Sequence, residues 1–287
     1  LTKTIMARFD RLKTGRQNWE THWQEVADYM QPRKADVTKT RSRGDKRTEL
    51  IFDSSPIQAV ELLAASLHGM LTNPSTPWFS LRYKDEGLDA DDEAKLWLEG
   101  VTETMYTAFN RSNFQQEIFE LYHDLITFGT AAMFIEEDQK DLLKFSTRHI
   151  NEIYVTENDK GRIDTVYRKF KITLRAAAQQ FGGGLSEEAK RRVDKDPFDE
   201  IDILHAVYPR QDFNPTKKDK QNMEFESVYV EYKNGNELSV GGFVEFPFVV
   251  PRYLKASHEI YGRSPAMTAL PDVKMLNEMS KTTIKAA

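Results

Sequence analysis

Hydrophobic positions in the first thirty residues recur at alternating steps of four and three: Ile5, Phe9, Leu12, Arg16, Trp19, Trp23, Val26 and Met30. This spacing places them on one seam of a helix about four heptads long. All but Arg16 are apolar, so the helix packs along its whole length, either as a core helix or against a neighbouring subunit. Arg16, beside Gly15, is expected to pair with a carboxylate or to mark a kink. The stretch Arg33 to Arg47 has no apolar period and is predicted to be a loop. Ser55, Pro56 and Gln58 read as a helix start with a capping box, followed by the stripe Val60, Leu63, Ala64, Leu67 and Leu71 and ended by Asn73-Pro74. Phe79, Leu81 and Tyr83 alternate with Ser80 and Arg82, predicting a short strand. Helices are predicted at about 91–109 and 114–128.

From Ala131 the period changes to two. Strands are predicted over 132–136, 142–147, 152–156 and 163–172, with a turn at Asn158-Asp159-Lys160-Gly161. Helices over 174–181 and 187–193 flank Gly182 to Gly184, read as a helix cap and linker because no strand or phosphate-binding helix frames them. Further strands are predicted at 201–208, 226–233 and 237–243, the last two joined through Asn234-Gly235. The polar loop 209–222 carries Lys217, Lys218 and Lys220. Ser264 is expected to cap a final helix at Pro265, with a second start at Leu270-Pro271-Asp272. That helix runs to Ala287 without a cap, so a fragment, or the ordered part, of a longer protein is expected. The pattern predicts an α+β chain: helix-rich over 1–130, mixed strand and helix over 131–200, strand-rich over 201–263, and helical over 264–287.

The 287 residues carry 40 Lys and Arg against 45 Asp and Glu, a net charge of -5, with no cysteine. Disulfides, thiolate metal sites and cysteine nucleophiles are excluded, and a reducing compartment fits. No apolar run approaches the ~18 residues of a membrane span, and no signal-peptide layout is present. Near-balanced charge confines nucleic-acid contact to local patches. One such patch is the loop: Arg33, Lys34, Lys39, Arg41, Arg43, Lys46 and Arg47 face only Asp36 and Asp45 in sequence. Its cations, Arg41, Arg43, Lys46 and Arg47 among them, could displace counterions from DNA phosphates without reading bases. A solvated loop is the plainer alternative.

Catalytic patterns fail. There is no G-x-x-x-x-G-K-[ST] and no H-E-x-x-H. Gly262-Arg263-Ser264-Pro265-Ala266 lacks the second glycine of a nucleophile elbow. His22, His68, His123, His149, His205 and His258 never pair at metal-ligand spacing and read as surface or half-buried polar residues. Asp89, Asp91, Asp92 and Glu93 sit where carboxylates favour a helix start. Trp19, Trp23, Trp78 and Trp97 supply core mass or interface anchors. No catalytic residue, cofactor or metal site is expected.

Several stretches together resemble the podovirus head-to-tail connector, or portal, family. They are 16–20 with 23–33, which contain Trp19, Glu20, Trp23 and Pro32; Phe52-Asp53-Ser54-Ser55; and 71–79, which contains Asn73, Pro74, Trp78 and Phe79. Later come 205–210 with Tyr208 and Pro209, Gly241-Gly242-Phe243 with Phe246-Pro247, Arg252-Tyr253, and Tyr261-Gly262-Arg263-Ser264-Pro265. Their shared order across nearly the whole chain carries the resemblance.

The resemblance implies a non-enzymatic subunit of a ring, usually a dodecamer, at one vertex of the phage capsid. It also implies assembly in the host cytoplasm and residence in the virion. The implied partners are a terminase, a tail adaptor, capsid and scaffolding proteins, and double-stranded DNA passing through without sequence specificity; no membrane is involved. It implies a wing-like region over 1–130 continuing through 131–200, a stem or clip region over 201–263, and the start of a channel-wall helix over 264–287, with the rest of the chain absent. Phe9, Leu12, Trp19 and Trp23 would then serve the subunit interface. Lys274, Lys281 and Lys285, spaced seven and four apart, would face DNA phosphates, or else solvent or a neighbouring subunit. Two other readings stand beside it: another connector component such as a tail adaptor, and a metal-dependent DNA-processing enzyme using Asp89 to Glu93 or Asp194-Lys195-Asp196.

Overall fold

A computed structural model describes the chain except for Arg43, Glu86, residues 88–90, Pro215 and Lys218. Helix α1, Thr2–Met30, is one unbroken rod of about 43 Å at 1.5 Å per residue. Its seam faces inward and serves two cores. The N-terminal part, Ile5 and Phe9, packs on Tyr154, Tyr167, Leu204, Ala206, Tyr208, Val228 and Val230. The C-terminal part, Trp23, Val26, Ala27 and Met30, enters the main core.

Arg16 sits where the two cores meet and is 1% exposed. Its guanidinium pairs with Glu20 and donates to the carbonyls of Ile150, Asn151 and Ile153. The carboxylate partner expected from the sequence is present, and no kink forms. The same side chain also closes the short 3-10 turn Ile150–Glu152 onto α1.

The main core gathers α1, α2 (Ser55–Leu71), α4 (Phe114–Phe128), α7 (Pro265–Ala286) and a small antiparallel sheet ordered β2-β1-β8. Its strands are β1 (Ala132–Asp138), β2 (Leu142–Arg148) and β8 (Phe248–Val249). A second antiparallel sheet runs β3-β4-β5-β6-β7, from β3 (Ile153–Glu157) and β4 (Ile163–Thr173) through β5 (Glu200–Pro209) to β6 (Phe225–Glu231) and β7 (Asn236–Phe243). Because side chains alternate along a strand, β5 buries Leu204, Ala206 and Tyr208 on the α1 face. Ile201 and Ile203 pack instead against α5 (Leu174–Phe181) and α6 (Glu187–Lys195). Strands on either side of residue 200 belong to one sheet, since β4 and β5 pair from Val166↔Val207 to Thr173↔Glu200.

Several local expectations need correction. The segment 79–83 is not a strand: its backbone is satisfied by side chains of α3 (Asp92–Arg111), with Trp78 N and Phe79 N both donating to Tyr106 Oη. The capping box at Ser55 does not form; Ser55 is the first helical residue, and its N–H is taken by Asp53 Oδ1 at 2.7 Å. The second helix start at Pro271 is absent, because α7 runs continuously through that proline. The histidines are not all surface or half-buried residues, as His123 and His205 are fully buried. The turn joining β3 to β4, the Asn234-Gly235 turn and the Ser264 cap form as expected.

Candidate functional site

The fold brings many of the resembling residues to one place, the C-terminal end of α4. Gly129 ends that helix in the left-handed region at φ 75°, where glycine avoids the Cβ penalty. Trp23 Nε1 donates to Phe128 O at 2.9 Å, Ser264 Oγ to Thr127 O at 2.9 Å, and Tyr253 N to Gly129 O at 2.9 Å. Gly262 N donates to Thr130 Oγ1 at 2.7 Å. The helix's last carbonyls, which have no partner within the helix, are thus met by groups far away in sequence.

Gly129 and Gly262 pass so closely that a Cβ on either would collide with the carbonyl oxygen of the other. Tyr261 stands edge-on to Trp23, with centroids 5.1 Å apart, and lies 5.9 Å from Trp19. Its hydroxyl accepts from Val155 N at 3.3 Å. Arg252 pairs with Glu157 and donates to Gly161 O at 3.0 Å. Ser264 also accepts from Met267 N, so one hydroxyl caps α7 and ties it to α4.

The other resembling residues are local fasteners. Glu20 holds Arg16. Pro32 is buried at the first position of a 3-10 turn. Asn73 bonds Gly69 O and Ser75 N at the end of α2, with Pro74 beside it. Trp78 stacks on Phe114 at 5.8 Å and 9°, and Phe79 on Tyr106 at 4.5 Å. Tyr208 is buried at the end of β5 beneath the Arg8 guanidinium, 5.8 Å away, with exposed Pro209 following.

The structure parts the interface candidates. Phe9 and Trp23 are fully buried in the chain's own core and offer no surface to a neighbour, whereas Leu12 and Trp19 are half-buried. The phosphate-contact candidates also divide. Arg41 pairs with Asp28 and Arg47 with Asp36, while Lys46 is exposed; Arg43 lies outside the described residues. The basic loop is strapped down: Gln24 Oε1 accepts from the backbone N–H of Val37, Thr38 and Lys39, and Gln24 Nε2 donates to Ala35 O.

Lys274 turns back onto α1, pairing with Glu25 near the Tyr29 ring. Lys281 pairs with Glu278 at 2.9 Å, and Lys285 is exposed. Asp91 caps α3 by accepting from Glu93 N and Ala94 N; Asp89 lies outside the described residues. Among the described residues no group of three or more His, Cys, Asp or Glu side chains could hold a metal ion, and no helix is long and apolar enough to cross a membrane.

Sequence reasoning missed Gln24 and Asn277. Asn277 is buried on α7, where its Oδ1 accepts from Phe52 N and Asp53 N and its Nδ2 donates to Leu50 O. A polar residue inside an apolar helical stripe was the available signal. His205 was also missed: its ring stacks on Tyr229 at 3.9 Å and 2° and bonds Ser227 Oγ at 2.9 Å. Burial, reinforced by Arg168 and Arg148, lowers its pKa to about 3.

The chain is 33% identical over 279 residues to the "Probable portal protein" of Bordetella phage BPP-1, covering 96% of this chain and 50% of that protein. It is 31% identical over 283 residues to the "Portal protein" of Salmonella phage epsilon15, covering 96% and 51%. The chain therefore spans about half the length of these curated relatives. The family model described as "Bacteriophage head to tail connecting protein" matches residues 2–287. With a match across almost its entire length and a fold fastened by the very residues that carry the resemblance, the chain belongs to the bacteriophage head-to-tail connecting protein family.

Proposed function

We propose that this chain is part of a phage portal subunit: a non-enzymatic, ring-forming virion component at a capsid vertex through which double-stranded DNA is packaged and released. The observation that carries the reading is the similarity to two phage portal proteins over 96% of the chain. Its ring, twelvefold as the family resemblance implies, would meet a terminase, a tail adaptor, and capsid and scaffolding proteins.

The surface supports self-association. Leu62 and Met70 on α2 are 71% and 81% exposed, and Met275, Met279 and Ile284 on α7 and Leu96 and Trp97 on α3 are also exposed. Helix α3 has no fully buried residue. Apolar exposure on this scale is characteristic of surfaces that meet a partner. In a head-to-tail ring each subunit uses two different patches, one for each neighbour, and α2, α3 and α7 supply several. DNA sliding requires weak contact that does not read bases, which the exposed Lys285 and Lys46 suit better than the internally paired Arg41, Arg47, Lys274 and Lys281.

Native mass spectrometry or negative-stain imaging of the full-length protein tests the reading. A closed ring is expected; a monomer that persists at high concentration overturns it. Assembly only onto a preformed ring would instead identify a tail adaptor.

A further inference from the structure

A groove of about 470 Å³ runs between the N-terminal half of α1 and strands β3, β4 and β5. Leu12, Tyr167 and Tyr208 give it mainly apolar walls, and Arg8 and Arg11 stand on its α1 side. Both arginines are exposed, and neither makes an ion pair with any described residue. Over residues 1–13 they are joined by Lys3 and Lys13 against Asp10 alone. The groove is thus apolar inside and basic at its rim, and its volume lies within the roughly 300–1,000 Å³ of sites that enclose a compact guest.

Helix α3 carries the complementary surface. Leu96 is 69% and Trp97 61% exposed, and around them Asp91, Asp92, Glu93, Glu99 and Glu103 face only Lys95 in sequence. Lys95 already lies 3.7 Å from Asp92. Glu99 and Glu103 are exposed and make no ion pair with any described residue. Positions three, four and seven apart share a helix face, so Leu96, Glu99 and Glu103 stand together with Trp97 beside them. Two like charges four residues apart repel each other, a cost that a facing pair of cations removes. Arg8 and Arg11 match that pair in spacing, since residues three or four apart on a helix both lie about 5–6 Å from each other.

We infer that the two surfaces meet between copies of this chain: α3 of one copy docks in the α1 groove of the next, with Trp97 and Leu96 against its apolar walls and Glu99 and Glu103 on Arg8 and Arg11. The inference rests on the portal reading and names the junction of its ring. Two different patches on one chain make a head-to-tail contact, the kind that closes into a ring. A tryptophan entering an apolar groove rimmed by arginines has the makeup of an interface anchor. Leu12, expected at the interface from the sequence, is part of the groove wall.

Charge reversal in the full-length protein tests the junction. One variant carries Glu99→Arg with Glu103→Arg, the other Arg8→Glu with Arg11→Glu; all four positions are exposed. Alone, each variant sets like charges against each other at every junction and is expected to stay monomeric in native mass spectrometry under conditions where the wild type forms rings. Mixed in equal amounts, the two pair opposite charges at every junction and are expected to form rings of alternating subunits, which a twelvefold ring admits. Trp97→Ala is expected to raise the concentration needed for ring formation about tenfold or more, a readout that stands even if a reversed variant does not fold. Rings from either reversed variant alone, a folded mixture that stays monomeric, or Trp97→Ala protein that assembles like the wild type would each overturn this inference and leave the ring reading standing. A wild type that never forms rings overturns the ring reading, and the inference with it.

Discussion

Single side chains hold this fold by bonding backbone far away in sequence. Arg16 is the strongest case, because replacing it leaves three carbonyls and Glu20 without their cation. Arg16→Met is expected to cost about 3–5 kcal/mol, read as a lowered urea midpoint. Asn277→Leu frees Phe52 N, Asp53 N and Leu50 O and is expected to cost about 2 kcal/mol, with faster amide exchange confined first to residues 50–53.

His205 makes a pH prediction. Its folded pKa, about 3, lies below the unfolded value of 6.5, so the unfolded chain binds the proton first. Stability is complete above pH 6.5 and is lost as pH falls toward 3. Between pH 7 and 5 this group alone removes about 2 kcal/mol. Denaturation of the wild type and of His205→Asn at the two pH values should differ by that amount, and equal pH slopes would refute the assignment.

At the scale of elements, the contact between the end of α4 and the 261–265 segment decides how α7 leaves the core. Gly129 and Gly262 are each required because the partner's backbone occupies the space of a Cβ. Gly262→Ala is expected to cost about 3 kcal/mol, the upper end for overpacking. The double alanine variant should fall short of the sum, because both changes force open one contact. Thermal melts of the two single variants and the double variant check this. The helices and strands themselves were largely legible in the sequence, since a 3.6 or 2.0 period follows from one buried face. The segment 79–83 was not, because it is held by Phe79 N donating to Tyr106, Leu81 N donating to Thr102 and aromatic stacking, with no neighbouring strand. Strand β8, only Phe248–Val249, is too short to carry a period at all.

For the whole molecule, the exposed apolar faces of α2, α3 and α7 and the internally paired cations bear on the proposed ring and channel. If Lys281 and Lys285 face DNA, Lys281→Glu with Lys285→Glu should leave ring formation intact and lower packaging efficiency in a phage complementation assay. Unchanged packaging would remove these lysines from the channel. Arg47 should instead reveal itself through stability, because Asp36 loses its close partner when Arg47 is replaced, whereas Asp28 keeps Lys39 at 2.6 Å when Arg41 is replaced.

The sequence by itself determined the α+β order of elements, the inward seam of α1, the Ser264 cap and the family resemblance, because periodicity, capping and motif order are properties of neighbouring residues. Only the tertiary structure decided which seam residues are spent inside the chain, which cations are already paired, and that the signature residues fasten the end of α4. Those outcomes depend on contacts between residues more than a hundred positions apart, such as Trp23 with Phe128 and Thr130 with Gly262.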